Sequence, residues 1–94
     1  MNIFNIEVEF YIKENTGQRE YLCQRHNVVV AAKDPYDAAA IAFVKMFDRT
    51  ADCDACPPKE IFWKNNHTEA TVCRPGGRKF TYKFKITEIL ETGQ

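Results

Sequence analysis

Apolar and polar residues alternate strictly near the start of the chain, where Ile6, Val8, Phe10 and Ile12 are separated by Glu7, Glu9 and Tyr11. A period of two sends these sets to opposite faces of a β-strand, which predicts a half-buried strand over residues 3–12. The polar stretch from Lys13 to Gln18 contains Gly17 and suits a hairpin turn. A second strand is expected over residues 20–32, with Val28, Val30 and Ala32 turned to the core. Its polar middle predicts a bulge or break near Arg25–Asn27.

The β-branched run stops at Asp34-Pro35, and an alanine-rich segment follows. Asp34 can accept hydrogen bonds from the first turn of a helix, Pro35 has the φ that the first helical position requires, and Asp37 complements the helix dipole. These features predict a helix from Pro35 to about Asp48. Ala38, Ala39, Ile41, Ala42, Met46 and, at the margin of that set, Phe43 are available to cover a sheet. Residues 49–59 include Pro57-Pro58 and read as a loop. Short strands are expected at residues 60–64 and 69–73, with the turn Arg74–Arg78 after them. The last strand, from Lys79 to about Leu90, places Phe80, Tyr82, Phe84 and Ile86 on one face. Lys79, Thr81, Lys83, Lys85 and Thr87 fall on the other.

The order β-β-α-β-β-β predicts an α+β fold in a single domain over residues 1–94, a mainly antiparallel sheet with one helix packed on one face. The strand–Asp-Pro–helix unit resembles a junction found in many small ββα modules. That resemblance carries no functional motif.

Composition narrows the function classes. Thirteen basic residues balance thirteen acidic ones, so nothing pulls the whole chain toward nucleic acid or anionic lipid. No segment reaches the roughly 18 apolar residues of a membrane helix, and no membrane partner is expected. The stretch Met1–Glu9 has neither the basic nor the apolar region of a secretory signal, which makes the cytoplasm the expected location. No phosphate loop, HExxH pattern or nucleophile elbow is present, so an enzyme is not expected.

Three sets of residues carry candidate chemistry. Cys23-Gln-Arg-His26 and Cys53-Asp-Ala-Cys56 have zinc-ligand spacing, making zinc the one candidate cofactor of a chain otherwise expected to have none. Redox catalysis by Cys53 and Cys56 is disfavoured because Asp52 and Asp54 work against a thiolate. Disulfides and ordinary free cysteines are the remaining readings.

Arg74, Arg78, Lys79, Lys83 and Lys85 form a stretch without an acid, which suggests a surface for single-stranded nucleic acid. If the first and last strands are neighbours, Glu7 and Glu9 would cancel that patch. The third set is aromatic. Phe62 and Trp63 are consecutive and must face opposite ways, and an outward Trp63, with Tyr11 and Tyr21, would anchor a partner. The leading expectation is a small non-enzymatic protein-binding module of adaptor or inhibitor type. Its partner would be another protein or a second copy, held at a sheet edge or on the outer face.

Overall fold

The helix begins where the sequence places it. In the computed structural model, which describes residues 1–14, 19–50 and 61–91, Asp34 Oδ1 accepts the Asp37 N–H at 2.8 Å. The Asp34 carbonyl takes the first helical N–H, from Ala38, at 3.0 Å. Asp37 Oδ2 reaches back to the Lys33 N–H at 3.4 Å. The elements are β1 (Asn2–Lys13), β2 (Tyr21–Ala32), α1 (Pro35–Thr50), β3 (Ile61–Lys64), β4 (Glu69–Cys73) and β5 (Lys79–Glu91). A single 3₁₀ turn at Pro75–Gly77 joins the last two strands. Gly76 and Gly77 supply its left-handed backbone, with φ of 80° and 79°.

The five strands form one antiparallel sheet in the order β2-β1-β5-β4-β3. The first and last strands are therefore neighbours at its centre, and α1 packs on β2, β1 and β5. The expected α+β class and element order hold.

The core lies between helix and sheet. Phe4, Ile6, Val8, Phe10 and Ile12 of β1 are buried with Val28, Val30 and Ala32 of β2 and Phe80, Tyr82 and Phe84 of β5. The helix contributes Ala38, Ala39, Ala42, Phe43, Met46 and Phe47. Three buried alanines keep the helix backbone close to the sheet, while Phe43 and Phe47 reach toward β3–β5. Phe43 meets the edge of Tyr82 at 5.2 Å, and Tyr82 stacks on Phe10 at 5.0 Å.

Two register shifts change which residues face where. On the β1–β2 side, Phe10 pairs with Gln24 but Tyr11 pairs with Leu22, so Cys23 is the extra residue. The bulge lies two residues before the expected Arg25–Asn27 position. On the other side, Asn5 pairs with Glu88 but Ile6 with Ile86, which leaves Thr87 as the extra residue. Its hydroxyl donates to the Asn5 carbonyl at 3.2 Å. Each bulge reverses the alternation beyond it. Leu22, Glu88 and Leu90 consequently join the outer face, whereas Ile89 and Tyr21 fall on the helix side.

Strand β2 is a long sheet edge, and α1 guards it. Lys45 Nζ donates to the Val29 carbonyl at 3.3 Å. The N–H and C=O of one strand residue point the same way, so both Val29 groups face away from β1. An ammonium capping an outward carbonyl in the apolar run Val28–Ala32 opposes the addition of another strand. Replacing Asp34 with Ala removes the side-chain cap of α1, and urea titration should register a loss of about 1 kcal/mol.

Candidate interaction surface

The face of the sheet opposite α1 carries an ordered pattern of side chains. In one row across all five strands stand Lys64, Glu69, Lys83, Glu9 and Arg25, paired neighbour to neighbour by the register. Charge alternates at every step, which is the favourable arrangement for directly opposed positions. Arg25 closes the row with two hydrogen bonds to Glu9 Oε2, at 2.7 Å from Nη2 and 3.2 Å from Nε. Its Nε also lies 3.6 Å from Glu7. Lys83 Nζ sits 4.5 Å from the centre of the Tyr11 ring and 3.6 Å from Glu20.

The rows on either side complete the surface. Phe62, Thr71, Thr81, Tyr11 and Leu22 form the next row toward one end. Phe62 and Leu22 are exposed at 49% and 42%, and the Thr71 and Thr81 hydroxyls meet at 3.4 Å. Toward the other end, Lys85 pairs with Glu7, Glu88 with Asn5, and Leu90 with Ile3. On β2 the corresponding positions are Asn27, Val29 and Ala31. Val29 and Leu90 are exposed at 58% and 50%. The outer face is thus a neutral band of paired charges flanked on both sides by exposed apolar side chains, with Lys13 and Lys79 opposed beyond the Phe62–Leu22 row.

Hydrogen bonding shifts the groups at its centre. The Arg25 hydrogen bond holds the Glu9 carboxyl below the ordinary carboxylate range, against the opposing effect of burial. The same bond raises Arg25 further. Burial and the adjacent Glu9 push the Tyr11 hydroxyl up, so it stays protonated and donates to Glu9 Oε1 at 3.2 Å.

The structure separates residues that sequence reasoning grouped together. Among the partner candidates, Tyr11 lies on the outer face, but Trp63 faces the helix. It is half-buried, 5.9 Å from the Phe43 ring and stacked on Phe84 at 5.8 Å. Tyr21, opposite Ile12, sits at the far end of the helix side and donates to Glu14 at 3.2 Å. Of the two consecutive aromatics, Phe62 takes the outward position. The alternation of Ile61, Phe62 and Trp63 left that choice open until packing on Phe43 and Phe84 decided it.

The five cations also divide. Lys79, Lys83 and Lys85 are on the outer face. Lys83 and Lys85 stand opposite Glu9 and Glu7, and Lys79 stands opposite Lys13. Arg74 and Arg78 lie over the Phe80 ring on the helix side, at 5.8 and 5.5 Å. Arg78 additionally pairs with Glu14 at 3.3 Å. No single basic surface results from these five.

Cys23 occupies the bulge, and His26 stands opposite Val8 with its Nε2 2.7 Å from Gln24 Oε1. Cys53 and Cys56 lie outside the described residues. Among the described residues, no three His, Cys, Asp or Glu side chains gather in metal-binding geometry.

A second feature is an open cleft of about 330 Å³ lined by Tyr36, Trp63, Lys64, Asn65, Asn66 and His67. The β3–β4 turn beside it holds three successive non-glycine residues in the left-handed region: Asn65, Asn66 and His67, with φ of 52°, 56° and 64°. Asparagine tolerates that conformation best, and it is also within reach of histidine. Thr68 fixes the turn through its hydroxyl, which donates to the Asn65 carbonyl at 2.8 Å. The His67 ring wedges edge-on against Tyr36 and Trp63, at 5.0 and 5.1 Å. These contacts give the cleft a structural role, joining the β3–β4 hairpin to the start of α1.

No protein-family model, curated protein or solved structure matches the chain.

A carboxylate held below its unfolded value contributes stability above that value and loses it as pH falls through the folded one. The melting temperature should therefore fall more for the native chain than for Glu9→Gln between about pH 7 and about pH 3. Parallel thermal melts of the two proteins measure the difference.

Proposed function

We propose that the chain is a small non-enzymatic protein-binding module whose docking surface is the outer face of its sheet. The observation that carries this reading is the exposure of Phe62 and Leu22 on one side of the charged band and of Val29 and Leu90 on the other. Large apolar side chains flanking paired charges suit a protein partner, which buries the apolar flanks and matches the polar band. The long edge is less suited to that task, because Lys45 caps it at Val29. Nucleic acid is the weaker partner: Lys83 and Lys85 stand opposite Glu9 and Glu7, and the arginines belong to the other face.

A photo-crosslinking residue placed singly at Phe62, Leu22 or Leu90 tests the reading against the same residue at Ala40 or Val44, exposed positions on α1. Irradiation of cells producing each variant should give protein adducts at the three sheet positions and few at the two helix positions. Equal yields on both sides, or adducts to nucleic acid alone, would overturn it.

A further inference from the structure

We infer that the partner on the outer face is a second copy of this chain, docked face to face about a two-fold axis along the seam between β1 and β5. The inference rests on the protein-binding reading above and goes further by naming the partner. Its basis is the order of charges in the five-strand row: Lys64, Glu69, Lys83, Glu9 and Arg25.

Rotation about the β1–β5 seam lays β1 over the partner's β5 and β2 over the partner's β4. Glu9 then meets the partner's Lys83, and Arg25 meets the partner's Glu69. Glu7 faces the partner's Lys85, and Ile3 faces the partner's Leu90. Every charge in this set meets its opposite and two apolar side chains meet each other, while at the far end of the seam Lys13 meets the partner's Lys79, the one like-charge pair among the β1–β5 positions.

Other placements of the axis lose this match. An axis along β5 sets Glu69 against the partner's Glu9 and Lys83 against its own copy. Along β1, it sets Lys83 against the partner's Arg25. Along the charged row itself, every charge meets its own copy. The β5–β4 seam also alternates correctly. Because β4 and β3 are only five and four residues long, however, that seam leaves the Ile3–Leu90 end of the sheet uncovered.

The size of the contact is consistent with a weak dimer. At ~4.8 Å strand spacing, β1 and β5 overlap over ~30 Å and the flanking β2 and β4 only over the ~17 Å of the five-residue β4, which covers roughly 450 Å² per protomer, in the range of weak, transient interfaces. Two twisted sheets pack with their strands about 30° apart, so registration is best for the strands beside the axis. Those strands carry Glu7, Glu9, Lys83 and Lys85. An interface matched by charge in this way weakens as salt screens it.

The test uses single charge reversals and their mixture. Sedimentation of the native chain at low salt should show reversible dimers, with the dissociation constant rising at least about tenfold on going to high salt. Glu9→Lys and Lys83→Glu should each sediment as monomers, since each sets like charges together at the axis. Mixed in equal amounts they should form a heterodimer, because residue 9 of one meets residue 83 of the other with opposite sign. Circular dichroism establishes that each variant is folded, and the pair Glu7→Lys and Lys85→Glu repeats the test if one is not.

Self-association that survives both reversals, or a folded mixture that remains monomeric, would overturn the seam arrangement. A native chain that stays monomeric at about 1 mM in low salt would overturn the second copy as partner. Crosslinks to other proteins at Phe62 and Leu90 would still stand in that case, separating failure of this inference from failure of the protein-binding reading.

Discussion

The pairing of β1 with β5 joins the first and last strands at the centre of the sheet, and it decides both faces at once. On the helix side it stacks Phe10 on Tyr82 at 5.0 Å and brings Phe80 edge-on to Phe10 at 5.0 Å. These aromatic contacts are the middle of the core. On the outer side it sets Glu7 and Glu9 against Lys85 and Lys83. With β5 at an edge, Lys83 and Lys85 would lose Glu9 and Glu7 as cross-strand neighbours. The pairing therefore adds a second partner to glutamates that Arg25 already holds from β2. It also costs time in folding. A central pairing between segments so distant in sequence closes a long loop before its contacts form, a feature of slower-folding topologies.

The bulges at Cys23 and Thr87 act as a second layer of control. Without them, strict alternation would send Leu22 and Leu90 to the helix side and put Tyr21 and Ile89 on the outer face in their place. One extra residue in each long strand is enough to move them. The Thr87 hydroxyl bonding the Asn5 carbonyl shows how one such irregularity is accommodated locally. The surface read as a docking face thus depends on two local departures from regular pairing as much as on composition.

These features explain which parts of the molecule could be read from the sequence. Alternation from Ile6 to Ile12 gave the buried side of β1 correctly, and Asp34-Pro35 located the start of α1, because both signals are local. The extra helix residues Arg49 and Thr50 lay beyond the expected end at Asp48, where no strong stop signal stands before Pro57. Strand order is not written in any strand's own period. Whether the lysines of β5 met the glutamates of β1 was therefore a question the pattern raised without answering. A bulge has no period either, and a polar middle in β2 indicated that one exists while misplacing it by two residues. Trp63 and Phe62 were separable only by what packs on them. Phe43 and Phe84 form the aromatic pocket for the larger ring, and that pocket exists only after the sheet and helix have come together.

The hydrogen bond from Lys45 to the Val29 carbonyl has a consequence for how the protein fails. The run Val28–Ala32 is β-branched or small, uncharged and free of proline, the composition of a segment that templates fibril growth when its edge is open. In the folded molecule the cap on that edge is held by a helix, not by the strand itself. Fraying of α1 back to Lys45 would withdraw the ammonium while β2 remained paired to β1, leaving an intact strand with an uncapped flank. Resistance to aggregation is then a property of the helix's last two turns, and conditions that melt them would seed assembly well before the sheet itself unfolds.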